Sequence, residues 1–519
     1  MSGPARVRGV ASALFVAVAL LIGLAGDGMA AHDGLRRSVP AAGAVLDVAP
    51  REIRLTFTRA VDPTLARIEL IDPSGRAVEL AAPVPHPDSG NVLVAAVTGR
   101  LRAGAYTVRW RIVGSDGHPV QGSFGFVISE GATGLATTDS DDESSVEAAA
   151  GAVVGAQEVA DSEAGGPGVA PASEQAPSGV AMRRSFGVSS PTYVAIRWFT
   201  FLCLIGLIGC VAFRLLVLGT VARRGGEVTV VVAPATERAR VIGLALGLAL
   251  LVAGILRLAA QVYAVGGFEG DVVRNLLTGT AWGRGWILQV AATALALVGL
   301  RSAEGAGARV GWGAAAAAAL VLAVTPALSG HAVAAQGTAG LAIAADALHV
   351  IGAGGWLGTL ALIVAAGIPS AIGLEPSLRG PAVAALIRVF SPAALVFAGV
   401  LAATGLYASA LHLGSVAALF ETAYGTALLF KLAAIAVVVG LGAYNLFRVR
   451  PALGDDAGIA KLRRSSTAEL VAASIVLIAT ALLVATPPAV EAPAAEEQAS
   501  EIAAPVGATG EKSAPSTGS

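Results

Sequence analysis

Asp116 and His118 stand two residues apart in Ser115-Asp116-Gly117-His118-Pro119, directly after a segment of strong apolar alternation. In an extended chain that spacing turns both side chains to one face, so one carboxylate and one imidazole are offered to a single point. His32 adds a further donor set. If the chain is cut just before it, its amine and imidazole chelate one ion together. Three nitrogens and one oxygen in a plane suit Cu(II), and because the amine must be neutral to ligate, such a site weakens in acid. Read without a metal, the same residues are simply a turn in which Asp116 caps its own backbone. A second group lies far along the chain. His331 stands in Ser329-Gly330-His331-Ala332, and Asp346 and His349 follow three apart, a spacing that shares one helix face. Ionisable groups inside an apolar helix are costly and usually face a functional interior. The alternative is a buried Asp–His pair that holds two helices together.

Softer donors are few. The three methionines are Met1, Met29 and Met182, and the two cysteines are Cys203 and Cys210. Cuprous copper favours thioether or thiolate, so nitrogen and oxygen must hold any metal bound ahead of the membrane segments, which points to Cu(II) there. The cysteines share a helix face but lie about 10 Å apart along it, too far for a disulfide. They read as small packing residues, with a soft metal stepping-stone as the alternative. His86, in Pro85-His86-Pro87, reads as a solvated loop residue, and His412 falls just past an apolar run.

Several elements must position these groups. Residues 1–31 read as a secretory signal: Arg6 and Arg8, then an apolar stretch from Val10 to Ala25, then small residues. Cleavage after Ala31 exposes His32; cleavage after Ala30 suits the small-residue rule better. Residues 32–130 read as an all-β domain of short alternating segments separated by turn residues, such as Asp72-Pro73-Ser74-Gly75 and Asp88-Ser89-Gly90-Asn91. About a hundred residues with this spacing suggest a sandwich or barrel. Residues 131–187 read as a disordered acidic linker and 488–519 as a disordered acidic tail. Between them, 188–487 hold eight apolar runs of spanning length, near 192–218, 240–263, 284–301, 310–329, 340–366, 384–410, 425–447 and 466–486. The expected fold is therefore an N-terminal β-sandwich or barrel followed by an all-α bundle of about eight transmembrane helices.

A signal peptide sends the β-domain outside, so the first span runs inward. Arg223, Arg224, Arg238, Arg240, Arg301, Arg309, Arg379, Arg388, Arg448, Arg450, Lys461, Arg463 and Arg464 then fall in or beside inner loops. Only Arg183, Arg184, Arg274 and Arg284 fall on the outer side. That bias agrees with the positive-inside rule. All six histidines lie outside or in the outer half of the membrane on this topology.

Composition narrows the field. The chain is 55% hydrophobic and 14% charged, with net charge -1 and mean hydropathy +0.72. There is no basic field for nucleic acid and no GxxxxGK[ST] loop for a nucleotide. The partners expected are a metal ion and the lipid bilayer, and no enzymatic activity is expected.

His32 to Gly43, followed by Ala49-Pro50 and Ile53-Arg54-Leu55-Thr56-Phe57, resembles the start of CopC proteins. Tyr106-Thr107-Val108-Arg109-Trp110, continuing through Ser115–Val120 to Gly122-Ser123-Phe124, resembles their closing strands. The resemblance implies a Greek-key β fold with a Cu(II) site near the mature N-terminus, held by His32, Asp116 and His118, and the family's methionine-rich Cu(I) site has no counterpart. The later region resembles CopD membrane proteins through Ser329-Gly330-His331-Ala332, the span with His349 and Trp356, Tyr424-Gly425 followed by Lys431, and Glu469 opening the last span. That resemblance implies copper movement across or within the inner membrane. His331 and His349 are then the candidate ligands, with Asp346 orienting one of them. Asn445, Arg388 and Lys431 read as helix-end anchors.

The leading expectation is copper capture outside the cytoplasmic membrane and transport across it, inward, as part of copper homeostasis and resistance. One alternative is a membrane redox protein of the b-type cytochrome kind, using His331 and His349 for one haem. Another is an extracytoplasmic copper buffer or donor to cuproproteins.

Overall fold

In Glu52–Phe57 every second side chain, Ile53, Leu55 and Phe57, is fully buried while the others are not. This is the period-two pattern of a strand with one face on a core. The structure, a computed structural model, describes residues 34–114, 119–133, 190–265, 267–329, 339–486 and 489. Its β-domain has strands β1 (Leu35–Val39), β2 (Val45–Val48), β3 (Glu52–Phe57), β4 (Arg67–Ile71), β5 (Ala77–Val78), β6 (Val84–His86), β7 (Ser89–Ala96), β8 (Gly104–Val113) and β9 (Pro119–Thr133). They form one sheet in the order β1-β3-β7-β6 and a second in the order β2-β9-β8-β4-β5. Every pairing is antiparallel except β2 with β9.

The two sheets bury their inner faces on each other, so the domain is a sandwich and not a closed barrel. Ile53, Leu55, Phe57 and Leu93 from one sheet meet Leu70, Tyr106, Val108, Trp110, Phe124 and Phe126 from the other. Phe57 meets Trp110 edge-on, with centroids 5.5 Å apart, and Tyr106 stacks on Phe126 at 5.6 Å. Gly122 lies opposite Trp110 in the β8–β9 ladder. A Cβ on Gly122 would stand 2.5 Å from Trp110 Cζ2, so the indole occupies the space that a side chain there would need.

Among the described residues eight helices are long and apolar enough to cross a membrane. They are span 1 (Pro191–Arg224), span 2 (Glu227–Val265), span 3 (Ala281–Arg301), span 4 (Gly305–Leu328), span 5 (Ala339–Ile372), span 6 (Pro376–Leu413), span 7 (Ala423–Ala452) and span 8 (Asp456–Leu483). They run alternately up and down. At one end Tyr193 of span 1 donates to Gln261 of span 2 at 2.7 Å, Arg197 of span 1 donates to the Ala481 carbonyl of span 8 at 3.0 Å, and His412 of span 6 meets Tyr424 of span 7. At the opposite end Arg240 pairs with Glu304 at 2.9 Å and Arg379 with Asp456 at 3.7 Å.

Close approach replaces bulk where spans 1 and 5 cross. A Cβ on Gly209 would run into the backbone of Gly358, the contact that small residues permit between membrane helices. π-helical turns interrupt span 1 at Phe213–Leu218, span 5 at Gly354–Gly358 and Ile363–Gly367, and span 7 at Asn445–Val449.

The β-domain rests on the bundle. A short amphipathic helix, Gly270–Gly279, joins spans 2 and 3. Its Val272 and Leu276, with Val262, Val265 and Trp282 of the adjoining spans, bury Leu65 and Val113 of the β-domain. Asn275 Nδ2 donates to Thr64 Oγ1 at 2.7 Å. This contact lies at the end of the bundle where span 1 begins and span 8 finishes.

Candidate metal centre

Span 5 carries Asp346 and His349 seven and ten residues after its first residue, Ala339. That depth is about 15 Å for the histidine at 1.5 Å per residue. His349 Nδ1 lies 2.9 Å from Thr404 Oγ1 of span 6. The Thr404 hydroxyl donates to the Val400 carbonyl at 2.8 Å, so its oxygen accepts from the ring. With the threonine hydroxyl engaged in this way, the tautomer assigned to His349 carries its proton on Nδ1 and keeps on Nε2 the lone pair that a metal requires. Beside Thr404 on span 6, a Cβ on Gly405 would lie 3.6 Å from His349 Cε1. Lys431 of span 7 is the electrostatic neighbour of both Asp346 and His349.

A second polar group lies deeper. Glu469 of span 8 is 2% exposed. It accepts from Asn445 Nδ2 of span 7 at 2.7 Å, and the indole of Trp356 in span 5 reaches the same carboxylate. Gly442 of span 7 flanks the group: a Cβ there would make ordinary contact, 3.4 Å from Glu469 Oε1 and 3.6 Å from Trp356 Cζ2.

Of the residues singled out from the sequence, His32, Asp116, His118 and His331 lie outside the described residues. Asp346 and His349 share a face as their spacing requires, but among the described residues no three His, Cys, Asp or Glu side chains gather as a metal cage. Asn445 is not a helix-end anchor, because its side chain bonds Glu469. Glu469 does not open its span: the helix begins at Asp456, thirteen residues earlier. The sequence signal was present, since Glu469 is a lone acid in an apolar run, but its partners come from other spans. The cysteines pack. Cys210 is fully buried, and its thiol donates to the Ala239 carbonyl at 3.0 Å. His86 ends the edge strand β6 and accepts from the Asp88 amide at 3.3 Å, a hydrogen bond that fixes the turn into β7.

Three family models tile the chain in the order of these parts. The CopC domain matches residues 35–129, the copper resistance protein D-like N-terminal domain 188–341, and copper resistance protein D 384–483. The chain is a CopC domain fused to a CopD membrane domain. It is 27% identical over 432 residues to the copper transport protein CutJ of Bacillus subtilis (strain 168), covering 81% of this chain and 68% of that one. Its CopC domain is 33% identical over 103 residues to copper resistance protein C of Xanthomonas campestris pv. juglandis, covering 19% of this chain and 80% of that one. The crystal structure of PcoC, a methionine-rich copper resistance protein from Escherichia coli, aligns at 30% identity over 19% of this chain and all of that one, with a TM-score of 0.18. In this chain the CopC domain contains no methionine and no cysteine. The CopD bundle supplies Asp346, His349 and Glu469.

Proposed function

We propose that the CopC domain captures Cu(II) outside the cytoplasmic membrane and that the CopD bundle passes copper inward, the chain acting as a carrier and not as an enzyme. His32, Asp116 and His118 hold the ion in the CopC domain. His331 and His349 receive it in the bundle, and Asp346 with Lys431 sets the charge beside the second of these.

The docking of the CopC domain is the observation that carries this reading. Val113 is buried against the bundle, and in sequence Asp116 follows it by three residues. Asp346 and His349 occupy the half of the bundle that lies toward this contact. Capture and entry thus share one end of the molecule. That end is the outer one on the positive-inside reading, because the arginine-rich loops with Arg223, Arg224, Arg301 and Arg379 gather at the other. The freed Nε2 of His349 gives copper a nitrogen to bind on the way.

Copper accumulation in copper-limited cells tests the proposal, with wild type compared with His349→Ala at equal membrane expression. Higher intracellular copper with wild type, lost in the variant, supports import past His349. If neither protein changes intracellular copper while the CopC domain still binds Cu(II), import is wrong and the chain acts as an extracytoplasmic buffer or donor.

A further inference from the structure

Asp346, His349 and Lys431 are absorbed by the copper path, but the Glu469 group is not. Its carboxylate stands in the interior of an apolar bundle, and among the described residues it forms no ion pair. Charged groups on the packed spans are engaged elsewhere. Arg197 of span 1 bonds the Ala481 carbonyl, His349 of span 5 bonds Thr404, Arg379 of span 6 pairs with Asp456, Lys431 of span 7 faces Asp346, and Lys461 of span 8 itself stacks on Tyr444. Arg388 and Arg448 are exposed. A carboxylate so placed has hydrogen bonds from Asn445 and Trp356 but no cation to offset its charge, and a bare charge in such a setting is costly.

Two independent features mark the place as built. Trp356 lies inside the π-helical turn Gly354–Gly358, and Asn445 opens the π-helical turn Asn445–Val449. π-turns are uncommon in helices and concentrate at functional sites; here two of them, on different spans, each bring a side chain to one carboxylate. In addition, Asn445 Oδ1 and Ser466 Oγ, the latter one helical turn before Glu469, are buried with no partner among the described residues. Such atoms are rare in native interiors, and here both belong to residues beside the carboxylate, Asn445 through its bond to Glu469 and Ser466 through its place one turn away. Among the described residues no three His, Cys, Asp or Glu side chains gather here, so the group is better suited to a proton than to the metal.

We propose that Glu469 is a proton-binding site of the bundle, and that copper passing inward displaces its proton, so that copper and protons are exchanged. The second half rests on the transport reading above. The step involves no redox change. The carboxyl O–H bond breaks, the proton leaves to the outer side, and Glu469 remains as the carboxylate whose charge the arriving copper cation offsets; once copper has gone inward, the carboxylate takes up a proton from the inner side.

The test uses the full chain in proteoliposomes, with copper uptake and lumenal pH followed together, and in nanodiscs by pH-difference infrared spectroscopy. The expected result is copper entry accompanied by proton release in wild type and in Glu375→Gln, which alters an exposed carboxyl. In Glu469→Gln, proton release is lost, together with a protonated-carboxyl stretching band seen in wild type. Copper entry without proton release in wild type overturns the coupling and leaves transport standing, as does proton release undiminished in Glu469→Gln. No copper entry in any of the proteins overturns the transport reading and the exchange with it, and the infrared band then decides proton binding by itself: a band unchanged in Glu469→Gln overturns that too.

Discussion

The CopC domain and the CopD bundle are held together by opposite means. The sandwich is packed with large side chains, Phe57, Trp110, Tyr106 and Phe126, because removing them from water drives its folding. In the bundle, lipid is as apolar as leucine, so association relies on close backbone contact and buried hydrogen bonds. Gly209 against Gly358, His349 with Thr404 and Asn445 with Glu469 are those contacts. The lesson is that, among the described residues, the sandwich keeps charged and polar side chains out of its core while the bundle builds them into the packing itself.

The comparison can be broken from either side. Phe57→Ala should cost the CopC domain about 3–5 kcal/mol. Limited proteolysis of the full chain in detergent should then remove the domain and spare the bundle. Gly358→Leu should do the reverse at about 3 kcal/mol, because its side chain meets the Ile205 carbonyl and the Gly209 backbone. A thermal scan should show early loss of the bundle transition, and a bundle as stable as wild type would mean that the glycine crossing is not what joins spans 1 and 5.

A smaller change tests the overlap of packing and chemistry. Thr404→Val keeps the shape but removes the acceptor for His349 Nδ1, and with it the preference for a free Nε2. Copper uptake should fall about tenfold, the scale of losing a group that orients a metal ligand, with expression unchanged.

The smallest effect concerns pH in the sandwich. The Ser74 hydroxyl, with the backbone amides of Arg76 and Ser74, holds the Asp72 carboxyl below its usual range. Its contribution is therefore present above the ordinary aspartate pKa, about 3.9, and is lost as pH falls through the lower folded value. The stability difference between wild type and Asp72→Asn should shrink on acidification below about pH 4, as read from urea midpoints of the CopC domain.

Much of this was legible in the residues. The alternation of Ile53, Leu55 and Phe57 gave the strand and its buried face together, since period two has one solution. Apolar length gave eight spans. The spacing of Asp346 and His349 gave their shared face. Thr404 was not legible, because it is 55 residues from His349 and threonine is unremarkable in an apolar helix. Glu469 was misplaced for a different reason. Lys461, Arg463 and Arg464 lower the hydropathy of a segment that is nonetheless helical, so the apolar window opens ten residues after the helix does. The docking of Leu65 and Val113 carries no periodic signal at all: each looks like an ordinary apolar residue at the end of an element.

The wide turns of spans 5 and 7 also bear on how these helices tolerate change in length. A π-helical turn holds one residue more than the α-helix around it, so a single deletion there can be absorbed by reverting to regular winding. The residues beyond it would then keep their present faces, whereas a deletion in the regular α-helical part would swing them by about 100° around the axis. A single deletion in Gly354–Gly358 would leave both Asp346 with His349 and the remainder of span 5 facing their present neighbours. The two turns act as joints in the numbering of their helices, at the places where Trp356 and Asn445 meet Glu469.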